Sequence, residues 1–225
     1  MSDIIYWTDI SRFPDPAKDP SVTKGLPQER IDKILNLKRE ISRKQSLCSA
    51  LLQKYVAEMH GKSLNDIYFG EHGKPLLDGV FFNVSHSGNI VVCALGDYPI
   101  GCDIELIRKT PKSVINRAFH KGEIQVLRSL SPEDSEDRGF FRLWTAKESY
   151  IKLIGAGLAY GMKKIYMYVT HYKNPHHIFA VNGNISAIFL KEYKIPQHEN
   201  YVLFICTENR DYDAPLKRLY KKNLI

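Results

Sequence analysis

Cysteine is scarce and unpaired in this 225-residue chain. Its four cysteines, Cys48, Cys93, Cys102 and Cys206, never fall at C-x-x-C spacing, and each sits among apolar neighbours. That excludes a zinc ribbon or a dithiol redox motif and points to buried, reduced thiols. Long hydrophobic runs are missing as well. The longest, residues 90–95 and 201–206, are strand length, far below the roughly 20 residues of a membrane-spanning helix. The first residues, Met1-Ser2-Asp3-Ile4-Ile5, carry an acid where a secretory leader carries basic residues, and no apolar leader core follows. A soluble, cytoplasmic protein is the expectation. No G-x-S-x-G elbow presents a nucleophilic serine, and no low-complexity segment or residue-level repeat occurs.

What is present is an ordinary globular composition, 44% hydrophobic with 13 Tyr, on a basic background of 32 Lys and Arg against 25 Asp and Glu. The net charge of +7 selects anionic partners without choosing among nucleic acid, a membrane surface, a phosphorylated small molecule and an acidic protein.

Patterning predicts a short strand over residues 4–7, a loop marked by Pro14, Pro16 and Pro20, and a helical region opened by Pro27. Ser42-Arg43-Lys44-Gln45 reads as a capping box that restarts the helix, and Gly61 ends it. Arg30, Lys33, Lys38, Arg39, Arg43 and Lys44 make its exposed side either a solvated basic face or a phosphate site. Strands follow at 67–69, 80–84, 90–95 and 100–106, the last three read as an antiparallel meander. A basic stretch over 108–117, a helix over 121–130 and an acidic loop precede a second long helix. The pattern then returns to strands at 165–170, 178–181, 185–193 and 201–207, with a basic tail after them.

This order predicts an α+β fold of two similar, pseudo-symmetric halves, residues 1–106 and 107–225. Each half is a long helix packed on a small antiparallel sheet, and the active site lies in the cleft between them.

The chemistry concentrates in that second helix. Trp144, Glu148 and Lys152 recur at i, i+4 and i+8 and share one side, and Gly155 and Gly157 stop the helix. Asp103 and Glu105, at i and i+2 of a strand, leave one face while Ile104 enters the core. Three carboxylates brought together repel one another, so a cation must compensate: a magnesium ion with hard oxygen ligands, or Lys152. Gly73-Lys74-Pro75 offers a fixed turn with an ammonium group. Asn83-Val84-Ser85-His86-Ser87-Gly88 offers hydroxyls, an imidazole and free backbone N–H groups of the kind that cradle phosphate. His171, His176 and His177 resemble a metal cluster only in number and read as a solvated loop.

Taken in order, Gly73-Lys74-Pro75, the F-N-V-S-H-S-G run at 82–88, the P-I-G-C-D-I-E run at 99–105 and the W-T-A-K-E-S-Y-I-K run at 144–152 closely resemble the 4′-phosphopantetheinyl transferases. The likeness is to the two-half, surfactin-synthetase-activating (Sfp) type. It implies a magnesium-dependent transfer of phosphopantetheine from coenzyme A to a serine of an acyl or peptidyl carrier protein. Asp103, Glu105 and Glu148 match the family's metal ligands, with manganese an alternative to magnesium because both accept oxygen ligands. Lys152 matches a lysine implied to contact phosphate and assist proton transfer, making Glu148 and Lys152 the catalytic pair. Lys74, Pro75, Ser85 and His86 match residues that hold coenzyme A. Arg30, Lys33, Arg43, Lys44 and Ser46 are loose candidates for its 3′-phosphate. Glu123 resembles an acid of a short middle motif, and Cys102 stands where an aliphatic residue is commoner.

The resemblance also implies an acidic carrier protein as partner, no nucleic acid or membrane, and a monomer. Two other readings stand beside it. A non-catalytic basic module holding nucleic acid or an acidic protein accounts for the charge but not for the three acids. Another magnesium enzyme acting on nucleotides accounts for the acids but not for the whole motif set.

Overall fold

The computed structural model describes residues 3–110, 112–129, 136–167, 177–181 and 184–225. Strand β1 (Ile4–Asp9) leads through the proline loop to α1 (Gln28–Leu35), with Pro27 immediately before its first turn. The longer α2 (Glu40–Met59) follows a four-residue connection, 36–39, whose last residue, Arg39, is extended. The capping box expected at Ser42 is not there. Residues 42–45 lie inside α2, and the Gln45 amide, instead of turning back, donates to the Gly88 carbonyl at 2.9 Å. Gly61 closes the helix with φ +67°, a conformation that glycine adopts without steric cost.

A small hairpin, β2 (Tyr68–Phe69) and β3 (Pro75–Leu76), precedes β4 (Phe81–Ser87), β5 (Ile90–Gly96) and β6 (Ile100–Leu106). β4 and β5 pair antiparallel as expected, but the meander stops there. The other edge of β5 is taken by β1, from Ile4 opposite Leu95 to Asp9 opposite Ile90, so β5 has no edge left for β6. It pairs instead with β9 (Tyr201–Thr207), far along the chain. Helices α3 (Lys112–Ala118), α4 (Lys121–Ser129) and α5 (Glu136–Ile154) lie between, followed by β7 (His177–Val181) and β8 (Asn184–Tyr193).

Residues 165–167 are not the start of a strand, and 168–170, His171 and His176 lie outside the described residues. The tail is ordered: β10 (Leu216–Arg218) pairs parallel to β1, and α6 (Lys221–Leu224) follows.

The result is a mixed α+β fold with two four-stranded sheets, ordered β10-β1-β5-β4 and β6-β9-β8-β7. Strand alternation sorts the core. Tyr6, Val91 and Cys93 face α2, while Ile5, Trp7 and Val92 meet Cys102, Leu203 and Ile205 of the second sheet. On the far side of that sheet, Val202, Phe204 and Cys206 pack under Phe140, Leu143 and Ile151 of α5. All four cysteines are buried and free. Among the described residues no helix is long and apolar enough to cross a membrane.

Candidate functional site

The sheets meet where β4 runs beside β6, and side chains do the joining. β6 spends one edge on β9, which leaves the N–H groups of Cys102, Ile104 and Leu106 pointing at β4. Asn83 Oδ1 accepts from Cys102 N at 2.8 Å, Ser85 Oγ from Ile104 N at 3.3 Å and Ser87 Oγ from Leu106 N at 3.1 Å. Residues two apart share a face, so three small polar side chains cap three backbone donors that would otherwise be buried unpaired. The phosphate nest expected at 83–88 is therefore absent. Residues 83–87 are strand paired with β5, and the serines face β6. The period-two recurrence of small polar residues at 83, 85 and 87 carries this joint in the sequence.

The same hydroxyls fix the acids. Ser85 Oγ donates to Asp103 Oδ1 at 2.9 Å, and Ser87 Oγ donates to Glu105 Oε2 at 2.7 Å. Across from them lies α5, drawn close to β6 because residue 101 has no side chain: a Cβ there would collide with Ser149 O and Leu153 N. Gly101, overlooked as a site residue, is a glycine inside a strand pattern, a mark of close backbone approach. Its absence of bulk brings Glu148 and Lys152 opposite Asp103. Lys152 Nζ donates to Asp103 Oδ1 at 2.6 Å and to Ser85 Oγ at 2.7 Å.

A cleft of about 580 Å³ opens over these groups. Trp144, Glu148 and Lys152 line it together, as their spacing predicts, and Lys74, Pro75, Ser85, His86, Asp103 and Glu105 line it too. Lys74 also ties the helix end to β6, donating to Leu153 O at 2.9 Å and to Ile100 O at 3.2 Å. Arg43, Lys44 and Ser46 are not among its lining residues. The Arg43 guanidinium is held by buried Asp15, with N–O distances of 2.8 and 2.6 Å, and Lys44 pairs with Glu40 at 2.8 Å. Ser46 is half-buried on α2. Arg30 and Lys33 line a separate hollow with Phe69.

Electrostatically the cleft is under strain from like charges. Burial, with the Asp103 carboxylate adding to it, pushes Glu148 up to about 7. Burial also raises Asp103 and Glu105, against the pull of Lys152 on the first and the Ser87 hydrogen bond on the second. Burial opposes the charge on Lys152 most strongly, but Asp103, Cys102 and Glu148 together outweigh it and the net shift is upward. Among the described residues no group of three or more His, Cys, Asp or Glu side chains is arranged to hold a metal ion. Lys152 is in contact with Asp103. The donors are nonetheless hard oxygens with capacity to spare: Asp103 Oδ2 is buried with no hydrogen-bond partner. That is the chemistry a magnesium ion accepts.

Lys147, in the same run as Lys152, turns the other way. It is fully buried against Glu123 at 2.7 Å, outside the cleft.

The model of the 4'-phosphopantetheinyl transferase superfamily matches residues 99–206, which include Asp103, Glu105, Glu148 and Lys152. A 4'-phosphopantetheinyl transferase of Bacillus subtilis is 31% identical over 168 residues, covering 72% of this chain and 72% of that protein. The chain belongs to the 4'-phosphopantetheinyl transferase superfamily. Its likeness to the Sfp type extends over most of its length: 4'-phosphopantetheinyl transferase Sfp of Bacillus subtilis (strain 168) is 27% identical over 192 residues, 83% of this chain and 84% of the relative. The 4'-phosphopantetheinyl transferase gsp of Aneurinibacillus migulanus is 40% identical over 111 residues, 48% of this chain. That match spans 46% of the gsp protein, about half its length, and the match to psf-1 of Bacillus pumilus spans 60% of that relative. Lys74, Ser85 and His86 precede the stretch matched by the family: Ser85 and His86 lie on β4 of the first sheet, and Lys74 between the strands of the β2–β3 hairpin.

Proposed function

We propose that this chain transfers the 4′-phosphopantetheine group of coenzyme A to a serine hydroxyl of an apo acyl or peptidyl carrier protein, releasing adenosine 3′,5′-bisphosphate. The observation that carries the reading is one cleft lined by Asp103, Glu105 and Glu148 together with Lys74 and Lys152. Acids and bases there suit a diphosphate and its counter-ion. Asp103, Glu105 and Glu148 would hold magnesium or manganese, and the bound ion would offset charge that builds on the departing bisphosphate. Lys74 and His86 border the room for the coenzyme.

In the transfer, the carrier's serine oxygen forms a bond to the phosphorus that bears pantetheine, and the diphosphate bridge breaks. Glu148 accepts the serine proton. Lys152, held by Asp103 and Ser85, would stabilise the leaving phosphate oxygen. Acidic carriers give the net charge of +7 a use, and Arg108, exposed and 3.4 Å from Glu105, begins the face on which they would dock.

The test is incubation with coenzyme A, magnesium and a panel of apo carrier proteins, read by intact mass. Wild type adds the arm, and folded Asp103→Ala and Glu148→Ala do not. A wild-type protein that modifies no carrier overturns the proposal.

A further inference from the structure

The basic tail that closes the chain takes no part in the cleft. It closes a second concavity of about 620 Å³, which shares no lining residue with the first. Parallel pairing of β10 on β1 sets Arg218 beside Trp7. Its guanidinium carbon lies 4.9 Å from the Trp7 ring centre and 5.0 Å from that of Tyr220. Contact with two rings fixes the plane of the guanidinium and leaves its edge donors for an in-plane acceptor. The acid at that edge is Asp9, at 4.0 Å, beyond hydrogen-bond range. Asp9 is shared with His198 at 3.8 Å and accepts from Ser11 N at 2.8 Å.

Arg12, Lys221 and Lys222 line the same concavity. All three are exposed, and none has an ion-pair partner among the described residues. Arg12, Arg218, Lys221 and Lys222 thus line, with one carboxylate, a hollow whose wall includes Tyr220 and whose arginine rests on the buried Trp7 ring. A solvated basic face needs neither a concavity nor a ring-held arginine. A phosphoryl group supplies what this set lacks, with up to about two negative charges and several acceptor oxygens in forked geometry.

We infer that this concavity binds a compact phosphoryl anion, a diphosphate group either free or carried on a small organic molecule. The inference is independent of the transferase reading, since no cleft residue enters it.

Fluorescence tests it in the full-length protein. The chain has two tryptophans, Trp7 in contact with Arg218 and Trp144 in the cleft, so a Trp144→Phe background reports on Trp7 alone. Titration with inorganic diphosphate at fixed ionic strength gives a saturable change in Trp7 emission. Arg218→Gln weakens it by about tenfold or more, the scale of a lost charge-assisted hydrogen bond. Lys221→Gln with Lys222→Gln weakens it several-fold without disturbing the stacked rings, which covers the case in which Arg218→Gln unfolds β10. Lys152→Gln leaves it unchanged. Tighter binding of adenosine diphosphate than of diphosphate assigns the anion to an organic carrier, and the reverse assigns it to the free ion. No saturable change in the Trp144→Phe protein, an affinity indifferent to both sets of tail substitutions, or loss on Lys152→Gln overturns the inference.

Discussion

Lys147 and Lys152 lie on one helix, and each meets a carboxylate: Glu123 at 2.7 Å and Asp103 at 2.6 Å. The first pair is sealed, with side chains 0% and 1% exposed. Its partners are complete. Glu123 accepts from His120 N and Met167 N at 2.8 Å each, and the Lys147 ammonium reaches the carbonyls of Ala118 and Met162 and lies over the Phe119 ring. The second pair opens on the cleft. Lys152 is 29% exposed, and one oxygen of Asp103 is left without a partner.

A satisfied pair has nothing left to bind with. It pins α4 and residues 162–167 to α5, and leaving either half alone in the interior is expensive. An unsatisfied pair beside a cleft keeps capacity for a ligand. Two lysines in one sequence run thus serve the fold and the site respectively, and only burial tells them apart.

The contrast is sharpest in stability. Lys147→Met strands the Glu123 carboxylate and is expected to cost about 3–5 kcal/mol in urea unfolding, most of it recovered in Lys147→Met with Glu123→Gln. Lys152→Met, whose place water can fill from the cleft, is expected to cost about 1 kcal/mol or less. Equal losses would erase the distinction. Activity shows the converse. Glu148→Gln is expected to lower carrier modification by about 10²-fold or more while leaving the unfolding midpoint unchanged or raised, since it removes one of three mutually repelling acids.

Asp15 with Arg43 extends the sealed class to the first sheet's side of the molecule. Arg43 lowers Asp15 from 3.8 to about 2. A folded-state value below the unfolded one gives stability that is complete above the ordinary carboxylate range and lost as pH falls toward 2. Asp15→Asn is therefore expected to cost about 2 kcal/mol at neutral pH, with the gap to wild type closing between about pH 4 and 2. A gap that persists in acid would mean that packing, not charge, carries the effect. The smallest effect concerns the joint: Ser87→Ala, losing its bond to Glu105 and uncapping Leu106 N, is expected to cost about 1 kcal/mol in the same unfolding assay.

Local patterns foretold local structure. Short apolar runs bounded by turn residues located β4, β5, β6, β8 and β9, and the Trp144-Glu148-Lys152 spacing put three side chains on the cleft because helical geometry depends only on sequence distance. Composition marks the tail only as basic, although its three-residue strand is held by β1. The nest at 83–88 failed for a related reason. Small polar residues suit turns and edge strands alike, and only the neighbouring β6 decides which.

Residue types and their spacing determined by themselves which groups were available: two acids on one strand face, an acid and a base one helical turn apart, buried thiols, and the family to which the chain belongs. Tertiary structure decided what those groups do. β1 occupied the edge that β6 needed, sending Asp103 and Glu105 to the second sheet, and Gly101 let α5 approach them. Burial then divided the two lysines. Strand partners and solvent access are long-range properties, set by which surfaces meet when the whole chain packs, and no window of sequence contains them.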